Sequence, residues 1–300
     1  MTSMKFLHNL NVVARHPLNR GREVQAVWNW VLWQAYRRTA PGPIVFDWMD
    51  GVRFLVRRDE DSMLGNVYNG LAEPEAMSFA LNVIRPGDMF IDVGANVGAF
   101  TLICCGAGKA SGVCFEPVPS TFRRLIDNLN LNDLRGRVQP FNLGVSDPPS
   151  RILRFTSSGD SINHVVTEGE EGSNVVEIST VTLDDHVSLD RPALLKIDVE
   201  GFEVPVLRGA RRLLESGRIY AAIVEINEFQ DRYGHSASEA LSLLSAAGYH
   251  PASYESDARA LHPITGTNAR EDSTIFVRDF EFANLRLRES RPVAICGRKL

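Results

Sequence analysis

Short β-branched runs that alternate with helical patterns from Asp88 onward predict an α/β fold, a doubly wound Rossmann-like sheet of mostly parallel strands. A second observation agrees: the apolar run Met89-Phe90-Ile91-Asp92-Val93 passes directly into Gly94-Ala95-Asn96-Val97-Gly98, a strand feeding a small-residue turn at the start of a helix. The third is length. At roughly 100–200 residues per domain, 300 residues make one large domain with extensions.

The expected strands are 89–93, 112–116, 138–142, 193–199 and 219–226, with helices near 97–108, 120–132, 202–216 and 236–247 between them. Late strands near 251–255 and 273–278 complete the sheet. In the second helix Phe122, Leu125, Ile126 and Leu129 form the apolar stripe that covers it. Residues 150–182 break the alternation: Arg151 to Thr156 and Val175 to Thr182 read as strands joined by a Ser-, Gly- and Glu-rich loop, an insertion at the sheet edge.

Ahead of this domain, Val24, Val27, Trp28, Val31, Leu32 and Tyr36 recur at helical spacing between Asn19 and Arg38 and predict an amphipathic helix. Trp30 and Trp33 fall off the stripe, a second apolar side for a lid or a partner subunit to bury, so homo-oligomerisation through this helix is an expectation. Ile44–Met49 and Val52–Arg57 flank Asp50-Gly51, a two-residue hairpin signal. The chain therefore divides into a helix and hairpin extension (1–74), a ligand-binding α/β domain (75–280) and a C-terminal tail (281–300).

A net charge of -5 argues against nucleic acid as the main partner, because that affinity comes from neutralising phosphates. The charge is uneven: residues 1–58 hold nine Lys and Arg against three Asp and Glu, a stretch suited to peripheral contact with an anionic membrane glycolipid. Cys104, Cys105, Cys114 and Cys296 follow neither a metal spacing nor a secreted disulfide pattern, and the N-terminus lacks the apolar core of a signal peptide. A cytoplasmic protein is expected.

The glycine loop has the spacing Gly94-x-x-x-Gly98, not the G-x-G-x-x-G of a dinucleotide pyrophosphate site, which favours a ligand without a pyrophosphate. Glu116 ends the second strand, 24 positions after Asp92, where a carboxylate accepts hydrogen bonds from both ribose hydroxyls. In Lys196-Ile197-Asp198-Val199-Glu200-Gly201, strand alternation puts Lys196, Asp198 and Glu200 on one face. Buried charges need partners or a ligand. Lys196 is expected to be buried against a carboxylate, Asp92 on the neighbouring strand being the first choice, and Asp198 to reach the crevice.

These segments resemble the FkbM-type methyltransferase family: Asp92–Gly98, then Phe115-Glu116-Pro117, then Leu194–Glu203 followed by Val206–Ala210, and Ile223–Asn227, a likeness covering about residues 66–277. His16–Gly21 and Gly65–Met77 look like a subgroup often encoded among genes for sugars and surface glycans. The resemblance implies the class I methyltransferase sheet and transfer of a methyl group from S-adenosylmethionine to a hydroxyl, commonly on a carbohydrate or polyketide. The cofactor then lies over Asp92, Gly94, Ala95, Asn96, Gly98 and Asp198, its ribose on Glu116 and its adenine near Asn142 and Gly144.

Methyl transfer needs alignment of the acceptor oxygen and removal of its proton. The candidate bases are Asp198, Glu225, His164 on the insertion, and His235. A divalent metal offers a second way to acidify the acceptor, with Asp198, Glu225 and Asn227 as oxygen ligands. Acceptor recognition, of a small molecule or glycan, falls to the N-terminal extension, to Asn66, Tyr68 and Asn69, and to the loop 157–174 with Asn163, His164 and the hinge glycines Gly159, Gly169 and Gly172. Two other readings stand beside this one: a nicotinamide-dependent oxidoreductase, disfavoured by the missing G-x-G-x-x-G, and a non-catalytic S-adenosylmethionine-binding module in glycan assembly, disfavoured by the intact Gly94, Gly98 and Glu116.

Overall fold

Period-two alternation along the central strands decides the layering, because each strand must bury both faces. The computed structural model describes residues 13–14, 16, 19–21, 23–39, 41–58, 62–157, 163–167, 174–296 and 298–299. In chain order the elements that open it are α1 (Glu23–Thr39), β1 (Ile44–Met49), β2 (Val52–Val56), α2 (Leu64–Asn69) and α3 (Pro74–Val83). The domain proper continues with β3 (Met89–Val93), a helix α4 (Ala99–Thr101) that widens into a π-helix (Leu102–Ala107), β4 (Ser111–Phe115), α5 (Pro119–Leu131), β5 (Val138–Phe141) and β6 (Gly144–Val145). Then come β7 (Ile152–Thr156), β8 (Val175–Val181), α6 (Leu183–His186), β9 (Ala193–Ile197), α7 (Glu203–Arg208), α8 (Arg211–Glu215) and β10 (Ile219–Glu225). A 3-10 turn (Glu228–Tyr233), α9 (Ala237–Ala246), β11 (His250–Glu255), β12 (Ala260–Pro263), β13 (Ser273–Val277), α10 (Phe280–Arg288), β14 (Ala294–Ile295) and β15 (Arg298–Lys299) finish it.

Eight strands form the main sheet in the order β12-β11-β13-β10-β9-β3-β4-β5. Those from β10 to β5 run parallel, and β13, β11 and β12 extend the sheet antiparallel. Phe90, Leu194 and Ile223 enter one core with α3, the π-helix and the hairpin; their neighbours Ile91, Leu195 and Val224 enter the other with α7, α8 and α9. Strand order reverses between β3 and β9, so the crevice outside their carboxyl ends is the topological switch point where such sheets bind ligands. Strand β9 ends at Ile197, earlier than the expected 199, and residues 202–216 form two short helices. The insertion hairpin β7–β8 pairs with β6 in a separate three-stranded sheet.

Helix α1 packs through the side that carries Trp30 and Trp33. Its buried side is Ala26 and Trp30, with Trp30 against Tyr68 (6.4 Å between ring centroids) and Trp33 against Phe46 (6.2 Å). The other apolar stripe faces outward, Val24 at 86% and Trp28 at 59% exposure, with Val31, Leu32 and Tyr36 beside them. Both faces are apolar, so helical period alone does not choose between them; the aromatic rings of Tyr68 and Phe46 do. Among the described residues no helix is long and apolar enough to cross a membrane.

The segment after residue 280 is built into the domain. Helix α10 packs on α3, and β14 pairs with β1 through Met49 and Ile295, so chain start and chain end share a four-stranded sheet β15-β14-β1-β2. Arg286 anchors α10 on the buried Asp88, just ahead of β3, with Nη2 donating to Oδ1 at 3.1 Å and its guanidinium 5.0 Å from the Tyr220 ring centroid. Removing one member of a buried pair strands the other charge. Arg286→Met is therefore expected to lower unfolding free energy by about 3 kcal/mol, read from urea denaturation with an unchanged slope. A loss under about 0.5 kcal/mol, the range of an ordinary surface substitution, would show that α10 is not held by this pair.

Candidate active site

The turn after β3 is shaped by two glycines at positive φ, Gly94 at 77° and Gly98 at 97°. A Cβ on Gly94 would lie 1.7 Å from the carbonyl oxygen of Asp198, so only glycine lets the β3 and β9 turns approach this closely. On Gly98 it would meet the Leu125 side chain of α5 at 2.7 Å. The N–H groups of Gly94 and Ala95 both donate to the Phe115 carbonyl at 3.0 Å, and Asn96 takes φ 50°.

Glu116 faces this turn from the end of β4. Its Oε2 accepts from the Asn96 N–H at 3.0 Å and its Oε1 from the Val118 N–H at 2.9 Å. Burial raises its carboxyl to about 7 against the pull of those two N–H donors. Thr121, Phe155 and Asn163 join Glu116 and Asn96 around a small cavity of about 60 Å³. Asn142 and Gly144, expected beside the adenine, line neither this cavity nor its larger neighbour. Asn142 donates to the carbonyls of Glu116 and Pro117 at 2.9 and 2.7 Å, holding the loop from behind, and Gly144 packs under Phe155.

The larger neighbour, about 200 Å³, collects Asn66, Glu73, Asp92, Gly94, Lys196, Asp198, Glu200 and Glu225. Lys196 is 3% exposed and donates to Asp198 Oδ2 at 2.7 Å, with its ammonium 4.6 Å from the Phe100 ring centroid. The expected pairing with Asp92 is not the one formed. Asp92 lies level with Lys196 in the parallel register, but its Oδ2 accepts from Thr101 Oγ1 at 2.5 Å, while its Oδ1 is buried without a partner. The ammonium instead reaches forward along its own strand, where Asp198 is closer to solvent. Burial works against the charge on Lys196, yet Asp198, Glu73 and Asp92 together raise its pKa.

Burial raises the Glu225 carboxyl to about 11, with the negative Asp198 beside it reinforcing the rise. Asp198, opposed by burial, is held below its usual value chiefly by Lys196. Glu200 reaches the cavity by a turn, not by strand alternation, since β9 has already ended. It sits at φ 55°, ahead of Gly201 at φ 98°, and Glu203 clamps that turn by accepting from the N–H groups of Val199 and Gly201 at 3.2 and 3.1 Å.

Carboxylate oxygens of Asp198, Glu200 and Glu225 lie within 4.8 Å of one another, a geometry that suits a metal ion. Asn227, expected in that set, instead caps the 3-10 turn through the Phe229 N–H at 2.9 Å. The two histidines are elsewhere. His235 pairs with Glu239 at 3.1 Å ahead of α9, and His164 lies on the insertion with its N–H donating to Thr156 Oγ1 at 3.0 Å; neither lines a cavity with the cluster. Of the acceptor candidates, Asn66 lines the larger cavity, whereas Tyr68 and Asn69 bond Gln34 and Asn19 and stitch the N-terminal extension in place. Gly159, Gly169 and Gly172 lie outside the described residues. Glu73 was given no site role from the sequence; it lies within the Gly65–Met77 segment, but residue spacing does not show that this segment packs against the end of β9, and the fold does.

The methyltransferase FkbM domain model matches residues 92–251, more than half of the chain, from the strand before the glycine turn past Glu225. The hexuronic acid methyltransferase AglP of Haloferax volcanii is 32% identical over 178 residues, 58% of this chain and 70% of AglP. The 31-O-demethyl-FK506 methyltransferase FkbM of Streptomyces tacrolimicus is 26% identical over 199 residues, 55% of this chain and 74% of that protein. A solved methyltransferase FkbM from Methylobacillus flagellatus aligns with 85% of this chain and 60% of its own at 15% identity and a TM-score of 0.43. On the extent of that domain match, the glycine turn and the acidic strand ends at the switch point are those of an FkbM methyltransferase, and the chain belongs to that family.

Proposed function

We propose that this chain transfers the methyl group of S-adenosylmethionine to a hydroxyl oxygen of a sugar, glycolipid or glycosylated natural product. The observation that carries the donor is the Gly94 turn, whose backbone lies where any Cβ would collide with Asp198, opposite a buried Glu116 whose carboxylate can accept from both ribose hydroxyls. The partnerless Asp92 Oδ1 suits an ammonium group, and the smaller cavity with Thr121, Phe155 and Asn163 suits the nucleoside end. When bound, S-adenosylmethionine supplies an electrophilic methyl carbon on a sulfonium. An anionic cavity favours that cation, and Lys196 limits the negative charge that the fold must bury. The sugar acceptor class is supported by the similarity to AglP, a hexuronic acid methyltransferase.

Of the sequence-derived bases, Asp198 is engaged by Lys196, and the Glu225 carboxyl is raised by burial and by the neighbouring Asp198. The test of the function is incubation with methyl-labelled S-adenosylmethionine and a panel of sugars, nucleotide-sugars and glycolipids. Label in an alkali-stable ether supports the reading; label released by mild alkali, an ester on a carboxylate, sinks hydroxyl transfer.

Ribose hydroxyls donate to an ionised carboxylate, so affinity for S-adenosylhomocysteine should rise as pH passes upward through about 7, where Glu116 loses its proton. Calorimetry between pH 6 and 8 checks this, and Glu116→Ala should both flatten the dependence and weaken binding by about 1–3 kcal/mol. An unchanged affinity in that variant removes Glu116 from the site.

Lys196→Met leaves Asp198 and Asp92 without their buried cation, with an expected stability loss of about 3 kcal/mol and weakened cofactor binding. Wild-type unfolding and wild-type affinity combined with lost turnover would instead make Lys196 a participant in the chemistry.

A further inference from the structure

A second concavity of about 470 Å³ opens beside the donor cavity and shares Ala72 and Glu73 with it. Its wall is rigidly built. The Glu271 carboxylate accepts from the N–H groups of Glu75 and Ala76 at 2.7 and 3.0 Å, tying the loop before β13 to the first turn of α3. Glu75 in turn accepts from the Tyr254 N–H at 2.7 Å. Exposed Asp257 and Asp272 stand on the same wall, and Arg270 and His16 are its basic members. Like charges are already crowded here: after burial, Glu73 and Glu75 push the Glu271 carboxyl upward, to about 7.

Glu73 joins the two spaces. Ser273 Oγ donates to its Oε2 at 2.5 Å, and Ser273 is the register partner of Glu225, so Glu73 is fixed beside the Asp198–Glu225 pair. Asp198, Glu200 and Glu225 line the donor cavity but not the second one, and among the described carboxylates Glu73 is the one common to both.

We propose that the second concavity is the acceptor subsite, that it takes a neutral or cationic polyhydroxylated ring in preference to an anionic one such as a uronate, and that Glu73 is the general base. This rests on the methyl-transfer reading. Carboxylates are acceptor-only groups, suited to sugar hydroxyl and ammonium donors and repelled by a carboxylate on the ligand. In the step, the acceptor oxygen forms a bond to the methyl carbon as the sulfur–carbon bond breaks. The sulfonium becomes a neutral thioether, and the hydroxyl proton passes to Glu73 Oε1 while Ser273 holds Oε2. Burial raises the Glu73 carboxyl, which strengthens it as a base near neutral pH.

The test uses the full chain saturated with S-adenosylhomocysteine and saturation-transfer NMR on three probes: methyl glucopyranoside, its 2-amino analogue and methyl glucuronide. The expected result is binding of the first two, with the glucuronide at least about tenfold weaker, roughly the effect of one added like-charge contact. Asp257→Asn with Asp272→Asn should narrow that gap. Binding of none of the probes, tighter binding of the glucuronide, or a gap that the double variant leaves unchanged overturns the subsite. Binding of S-adenosylhomocysteine in the same samples reports the donor site separately, and its failure would count against the methyl-transfer reading itself. With the best-bound glycoside and labelled donor, Glu73→Gln should lower kcat by about 10²–10⁴ with KM little changed and should remove the acidic limb of the kcat–pH profile. Retained kcat, or no wild-type turnover of a bound glycoside, overturns the role of Glu73.

Discussion

Among the described residues lining the cavity, Lys196 is the one cation, at the carboxyl end of β9 where Asp92, Asp198, Glu73 and Glu225 converge. Without it, the switch point would gather several carboxylates out of water with no counter-charge, and each would protonate or pull solvent inward. The ion pair with Asp198 therefore permits the β3 and β9 turns to close on each other through Gly94. It also pushes the two neighbouring acids apart: Lys196 holds Asp198 below its usual value, while burial and the negative Asp198 raise Glu225 despite the same ammonium.

Around that centre, the parts with no place in the parallel sheet act as walls. The antiparallel extension brings β13 beside β10, and with it Ser273 and the loop of Glu271. The N-terminal region sends α2 and α3 to the same edge, which delivers Asn66 and Glu73. The insertion supplies Phe155 and Asn163 on the other side. The walls of the site are thereby built from different stretches of the chain, additions carried on a rigid scaffold. The sheet shared by β1, β2, β14 and β15 locks the N-terminal region to the end of the chain.

Much of the donor side was legible in the sequence, because its determinants are local. A strand followed by Gly94 and Gly98 requires a left-handed turn, and an acid 24 positions after Asp92 falls at the end of the next parallel strand. The period of apolar residues likewise places β3, β4, β9 and β10, since a strand buried on both faces needs a continuous apolar run. Tertiary structure alone decided three matters. It chose which apolar face of α1 is buried, because the rings of Tyr68 and Phe46 that settle it come from distant segments. It gave Lys196 to Asp198 and Asp92 to Thr101, because register makes both acids available and hydrogen-bond geometry selects between them. It brought in Glu73 and left out His164, His235 and Asn227, because a side chain's entry into a cavity depends on where whole elements pack, a non-local quantity that residue spacing does not encode.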